Sequence, residues 1–417
     1  MKVKVLLIVL LIVGLVLVNI GLVQAEKTTI TVSVYPDLDS VIKAILPAFN
    51  VLNPDIEVVL DVAGYGDHHT KLLTQLAAGK GVPDVTALEI GYISQFAAKG
   101  GLVDIGQSPY NAKMYENLFV PYAWFQSNTV DGRLVALPAD IAPATMFWRR
   151  DVFANRGVSI DNIKTWDDYI EAGKKFTYDA DGDGKVDHWL LANVADLAMI
   201  LWGGHTYFFD EQGNCLVDNE RFVNAFTIAK RIRDAGMDAQ IGAWTNEWYE
   251  AFKQGTVATE INGVWMLGHF KNWIAPDTAG KWGAAQLPEG IFTHRGGTWY
   301  AIPQASEHKE EAWRLIKFLT TNYATQLRAF EVTGAFPTVQ DVWKDPIFEE
   351  PVTFLNGQKA RLLWKEVVSH IVGVPTNVND ALAFEIVNDA LSQVLNEGCP
   401  INEALSEAKK LIEQRTR

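Results

Sequence analysis

Cysteine is almost absent from this sequence: Cys215 and Cys399, 184 positions apart, are the only two in 417 residues. That excludes a disulfide scaffold, leaves a single bridge between them open, and supplies no cysteine near the N-terminus to carry a lipid. Basic residues are the second shortage, with 36 Lys and Arg against 50 Asp and Glu and a formal charge of −14. Nucleic acid and anionic bilayers both need a clustered positive field, so neither is an expected partner. Long apolar runs are missing except at the N-terminus. Internal repeats, low-complexity tracts and Pro/Ser-rich linkers are missing too, so any connections between domains should be short and structured.

What is present begins with an address. Lys2 and Lys4 precede an unbroken apolar run from Val5 to Val18, and Val23-Gln24-Ala25 leads into a polar stretch. A short basic region, an apolar region and a small residue before the cut make a secretory signal peptide, cleaved after Ala25. Loss of its two lysines leaves 34 basic against 50 acidic residues, a charge of −16. The mature chain is therefore expected in an extracytoplasmic space, most simply a periplasm. Its composition, 48% apolar and 21% charged, is that of a globular protein with two or three domains.

Along the mature chain, strand and helix alternate. Thr29 to Tyr35 has period-two apolar residues, and a helical stretch follows through Val41, Ile45, Phe49 and Leu52, which Pro47 should kink or shorten. Asn53-Pro54-Asp55 turns the chain into a strand from Ile56 to Val62. Lys71 to Ala78 reads as a helix stopped by Gly79-Lys80-Gly81, and Asp84 to Leu88 as a third strand. Arg133 to Leu137 and Thr145 to Trp148 read as strands either side of a Pro138-Ala139-Asp140 turn. Thr165 caps a helix, and Asn402 caps the last one. The spacing predicts an α/β chain built on doubly wound, largely parallel sheets.

Several pieces then line up with one family. Asn53-Pro54-Asp55-Ile56-Glu57-Val58, Leu76-Ala77-Ala78-Gly79, Pro83-Asp84-Val85, Phe96 to Ile105, Asp131 to Pro138, Trp148 to Phe153, Ala251 to Gly255, Ile261-Asn262-Gly263-Val264-Trp265 and Glu311 to Leu319 resemble, in order and spacing, the extracellular solute-binding proteins of the maltose-binding type. These are substrate receptors of ATP-driven sugar importers. The resemblance implies a bilobal periplasmic-binding-protein fold of type II, two α/β lobes joined by a hinge crossed three times, near Asp140 to Thr145, Arg295 to Trp299 and Gly334 to Thr338. It divides the chain into a signal peptide (1–25), an N-terminal lobe (26–141 plus 299–337) and a C-terminal lobe (142–298 plus 338–417). It implies a monomer whose partners are a carbohydrate and the membrane subunits of an ABC permease, and through them the ATPase.

A pyranose has hydroxyls at its edge and C–H bonds on its face, so its site needs carboxylates or amides and flat aromatic rings. Among the 14 tryptophans, Trp265 matches the family's stacking residue, and Trp299 and Trp202, each beside a Gly-Gly pair, are further candidates. Glu89, just past the third strand, Asp140 at the first crossing and Tyr35 ending the first strand are the polar candidates. Asp67 and His68 lie in a Gly-rich stretch expected to overhang the cleft. With His69 they lack a spaced third ligand, a poor zinc signature.

No cofactor is expected apart from one structural ion. Asp179, Asp181, Asp183 and Asp187 stand at positions 1, 3, 5 and 9 of a loop with Gly184 at position 6 and the Lys185 carbonyl at position 7, an EF-hand-like oxygen cage for calcium. Position 12 is Leu190, so the bidentate glutamate is missing. The competing function is a secreted carbohydrate-active enzyme, but no carboxylate pair, Ser/His/Asp set or Gly-x-Ser-x-Gly elbow can be assembled. A receptor of the same fold for a non-sugar solute is the other alternative.

Overall fold

The computed structural model describes residues 27–416 except 130 and 375; the signal-peptide assignment lies outside the described residues. Eight strands form one sheet: β1 (Thr28–Val34), β2 (Ile56–Val62), β3 (Val85–Glu89), β4 (Ala136–Arg149), β5 (Thr259–Gly263), β6 (Trp282–Ala285), β7 (His294–Ala301) and β8 (Phe336–Pro337). The order is β2-β1-β3-β7-β4-β5, with β6 and β8 also paired to β4. Only β2-β1-β3 is parallel; every pair involving β4 or β7 is antiparallel, so the sheet is mixed and not largely parallel.

β4 is the longest strand, and two expected strands and a turn are fused in it. Its first half, from Ala136 to Pro143, pairs with β7, and Asp140 and Ile141 also pair with β8. Its second half, Ala144 to Trp148, pairs with β5 and, from Met146, with β6. Pro138 suggested a turn, but it and Pro143 sit where the β4–β7 register shifts, the irregular positions at which a strand tolerates proline. The three segments marked as crossings thus lie side by side and hydrogen-bonded in β4, β7 and β8.

Helix Leu38–Leu52 packs against β2 and the helices Lys309–Thr321 and Tyr323–Thr333, burying Leu38, Val41, Ile42, Ile45 and Phe49, the spacing of one buried face. It runs through Pro47 without ending. Pro47 is solvent-exposed, on the face opposite the buried residues. Helix Tyr65–Ala78 starts six residues before the expected Lys71, absorbing the Gly-rich stretch into its first turn. The final helix, Ile401–Arg415, begins before Asn402 and is preceded by Pro400 at its cap, so Asn402 does not cap it. Two buried apolar clusters fill the molecule. One surrounds β1, β3 and β7 and extends to Phe252, Phe270 and Trp282; the other surrounds the helices Trp166–Phe176, Val194–Trp202 and Glu220–Asp234. No helix among the described residues is long and apolar enough to cross a membrane. Cys215 and Cys399 are both free.

Candidate binding cleft

β3 is buried along its whole length and delivers Glu89 to its carboxyl end. There Glu89 Oε2 accepts from the Gly91 amide (2.9 Å) and lies 3.1 Å from His205 Nδ1. The approach depends on Gly91: a Cβ there would stand 2.5 Å from His205 Cβ. Burial alone would raise the Glu89 carboxyl, but the His205 ring, the Gly91 amide and Arg295 together hold it below the usual value. Its second oxygen, Oε1, has no partner although Glu89 is only 4% exposed.

Around Glu89 stands a ring of polar and aromatic groups. The Glu89 amide donates to His69 Nε2 (3.3 Å), and His69 Nδ1 donates to the Tyr65 carbonyl (2.8 Å). Burial first, then His68, pushes His69 down to about 4, so the ring is neutral and stacks on Tyr92 at 4.0 Å. Tyr35 Oη meets Thr298 Oγ1 at 2.7 Å, and Asp140 lies opposite Thr298 in the β4–β7 register. Desolvation lifts Asp140 to about 7 in spite of its hydrogen bonds with Thr298. Glu260, buried and accepting from Asn262 Nδ2 at 2.8 Å, is raised to about 8 by burial. Arg295 is the cation that Glu89, Asp196 and Glu260 share.

The aromatic side of the cleft is Trp265. Its indole donates to the Arg295 carbonyl (3.0 Å), and Trp244 stacks on it with centroids 5.9 Å apart and planes at 20°. His269 closes the group; its Nδ1 stands between the Trp273 indole N–H (3.0 Å) and Asp37 Oδ2 (3.2 Å). Asp37, Tyr207 and Trp244 all have left-handed backbones, with φ of 76°, 70° and 67°. Such conformations cost of order 1–3 kcal/mol each in non-glycine residues and gather at functional sites.

The family model for bacterial extracellular solute-binding proteins matches residues 35–326, more than half of the chain. The chain belongs to this family. Among its relatives are an arabinooligosaccharide-binding protein of Halalkalibacterium halodurans, 26% identical over 378 residues (86% of this chain, 82% of the relative), and one of Bacillus subtilis, 28% identical over 359 (82% and 81%). A solved ABC transporter associated binding protein from B. animalis subsp. lactis in complex with β-1,6-galactobiose superposes with a TM-score of 0.78 at 24% identity, covering 93% of this chain and 97% of that one. That likeness shows the fold: the bilobal, mixed α/β architecture of periplasmic binding proteins.

In this solute-binding protein Trp265, Glu89, Asp140 and Tyr35 gather along the Arg295–Thr298 segment of β7, and the other four candidates sit elsewhere. Trp299 is 0% exposed, its indole donating to Ser127 Oγ (2.9 Å) and the Ala123 carbonyl. Residues alternate along β7, so it is the neighbouring Thr298 that meets Tyr35. Trp202 is also 0% exposed, bonded to the Gly204 carbonyl and stacked on Phe222, a core residue. His68 is clamped under the sheet between Ser33 Oγ (3.2 Å) and the Ala87 carbonyl (2.8 Å). Asp67 is exposed in the first turn of its helix, where a carboxylate suits the helix dipole.

The sequence reading missed His205, Trp244 and Arg295. His205 follows Gly203-Gly204 and Arg295 precedes Gly296-Gly297, so the glycine pairs that drew attention to two tryptophans marked other neighbours. In the acidic loop, carboxylate oxygens of Asp179, Asp181 and Asp187 converge within 4.8 Å. Asp179 accepts from the Gly182 and Gly184 amides, both at 2.7 Å, so the loop curls around it. Asp183 stays outside the cluster and accepts from the Lys185 amide, and Leu190 is buried in the core.

Proposed function

We propose that this protein is the carbohydrate receptor of an ABC importer, holding a neutral mono- or oligosaccharide between its lobes and passing it unchanged to the permease. One observation carries the reading: Glu89 presents an unpartnered carboxylate oxygen, almost wholly buried, in a cleft whose other wall is the stacked Trp265 and Trp244. A sugar answers both demands, with hydroxyl donors for the oxygen and a C–H face for an indole. The names of the two relatives and the disaccharide in the solved structure point the same way. Closure would turn about β4, β7 and β8, with Glu89–His205 and Asp37–His269 meeting across the cleft. Export by a cleaved leader places the mature monomer in the periplasm. A calcium ion in the 179–187 loop is part of the same proposal: the three convergent carboxylates fit a hard cation as a structural clip.

Calorimetric titration with arabinotriose, lactose, maltotriose and their monosaccharides tests the reading. Saturable binding by at least one, with the sugar intact after overnight incubation, is expected. Hydrolysis products would overturn the receptor assignment in favour of an enzyme, and no binding across the panel would remove the carbohydrate.

A further inference from the structure

His294 opens β7 opposite Pro143, where the chain passes between the two bodies. It is 0% exposed, yet neither ring nitrogen has a hydrogen-bond partner. Two tyrosine rings lie near it: Tyr122, on helix Pro121–Gln126, at 5.9 Å and 20°, and Tyr207 at 6.3 Å and 36°. Tyr122 is 3% exposed and its hydroxyl is unpartnered too. Tyr207 differs, because its hydroxyl donates to the Val372 carbonyl at 2.6 Å. Its seat is built on glycine: a Cβ on Gly203 would stand 2.3 Å from the Tyr207 ring.

A buried imidazole with both nitrogens unserved is a rare and costly arrangement, and a tyrosine hydroxyl beside it in the same condition needs the same explanation. The orphaned Oε1 of Glu89 belongs to the same region, since Glu89 is the first charged group that acts on the His294 ring, followed by His205, Arg295 and Arg221. We infer that His294 and the Tyr122 hydroxyl are ligand-binding groups at the hinge end of the cleft, hydrogen-bonding adjacent hydroxyls of the innermost sugar ring. This rests on the carbohydrate reading above.

The chemistry of the donors narrows the ligand. Burial holds His294 down at about 4, so near neutrality it is one donor and one acceptor. A sugar hydroxyl can both give and take a hydrogen bond and so can serve either nitrogen, with a second hydroxyl left for Tyr122. A carboxylate could only accept and an ammonium could only donate, so either would leave one nitrogen unserved. The groups that His294 and Tyr122 meet are therefore hydroxyls.

His294→Phe keeps a flat ring beside the two tyrosines and removes both orphaned nitrogens; Tyr122→Phe removes one hydroxyl. Without ligand, His294→Phe is expected to melt no lower than wild type. For whichever of arabinotriose, lactose or maltotriose binds wild type best, its Kd is expected to rise tenfold or more. A Kd within twofold of wild type in His294→Phe overturns the assignment while leaving the carbohydrate reading intact. If His294→Phe does not fold, Tyr122→Phe decides, by a Kd that rises at least threefold or by one that stays put. Wild-type protein that binds none of the three sugars removes both readings.

Discussion

Two tryptophans beside similar glycine motifs have opposite fates, and the difference lies in which way the backbone turns each side chain. Trp265 follows the buried strand β5 and is half-buried against Trp244, whereas Trp202 ends a helix whose last residues are all buried. Trp265→Ala is accordingly expected to weaken sugar binding tenfold or more, about 1.4 kcal/mol, with the denaturation midpoint nearly unmoved. Trp202→Ala should cost roughly 3–5 kcal/mol of stability and leave the Kd of the folded fraction unchanged. Chemical denaturation and titration of both variants check the pair; a lost affinity in Trp202→Ala with full stability would reverse the assignment. Trp265 was legible because a local motif carries it. Trp299 and His68 were not, since each is held by residues far away in sequence, Trp299 by Ser127 and His68 by Ser33 and Ala87. No spacing rule reaches across such distances.

Elements were easier to read than side chains wherever one pattern ruled. The apolar periodicity of helix Leu38–Leu52 and the alternation in β1 carried through because a single face decides each. β4 was misread as two strands because proline and aspartate are turn residues by local chemistry, and only pairing to strands 150 or more residues away overrides them. In the acidic loop, where spacing is a local property, three of the four expected carboxylates converge, those of Asp179, Asp181 and Asp187. Chelator-treated protein is expected to bind calcium with measurable heat and to melt higher in its presence, by about 2.7 kcal/mol at a hundredfold excess over Kd. Absence of both effects at millimolar calcium disposes of the ion.

Over the whole molecule, buried titrating groups pull stability in two directions. His69 and His294, both depressed to about 4, refuse protons that the unfolded chain binds, so they make stability rise with pH from about 4 to 6.5. Asp140, at about 7, and Glu260, at about 8, hold protons that the unfolded chain has released, so they make stability fall from about 4 upward. The two pairs largely offset one another up to 6.5, and above it only the acids act. The melting temperature of the ligand-free protein is expected to be nearly level between about pH 4 and 6.5 and to decline through pH 8. Glu260→Gln, which keeps the acceptor for Asn262 and cannot ionise, should flatten that decline; an unchanged slope would move its source elsewhere.

One strand has a consequence for how this molecule comes apart. Bilobal chains can melt in two steps when each lobe owns its backbone hydrogen bonds, but β4 is written into both ladders, pairing with β7 through Pro143 and with β5 from Ala144. Fraying of either side strips the end from the other. Heating should therefore give a single calorimetric peak with matching van 't Hoff and calorimetric enthalpies, and two resolved peaks would show that the shared strand does not couple the halves. A joint that bends without separating its two ladders gives a receptor that can open and close many times and still fail only as one cooperative unit.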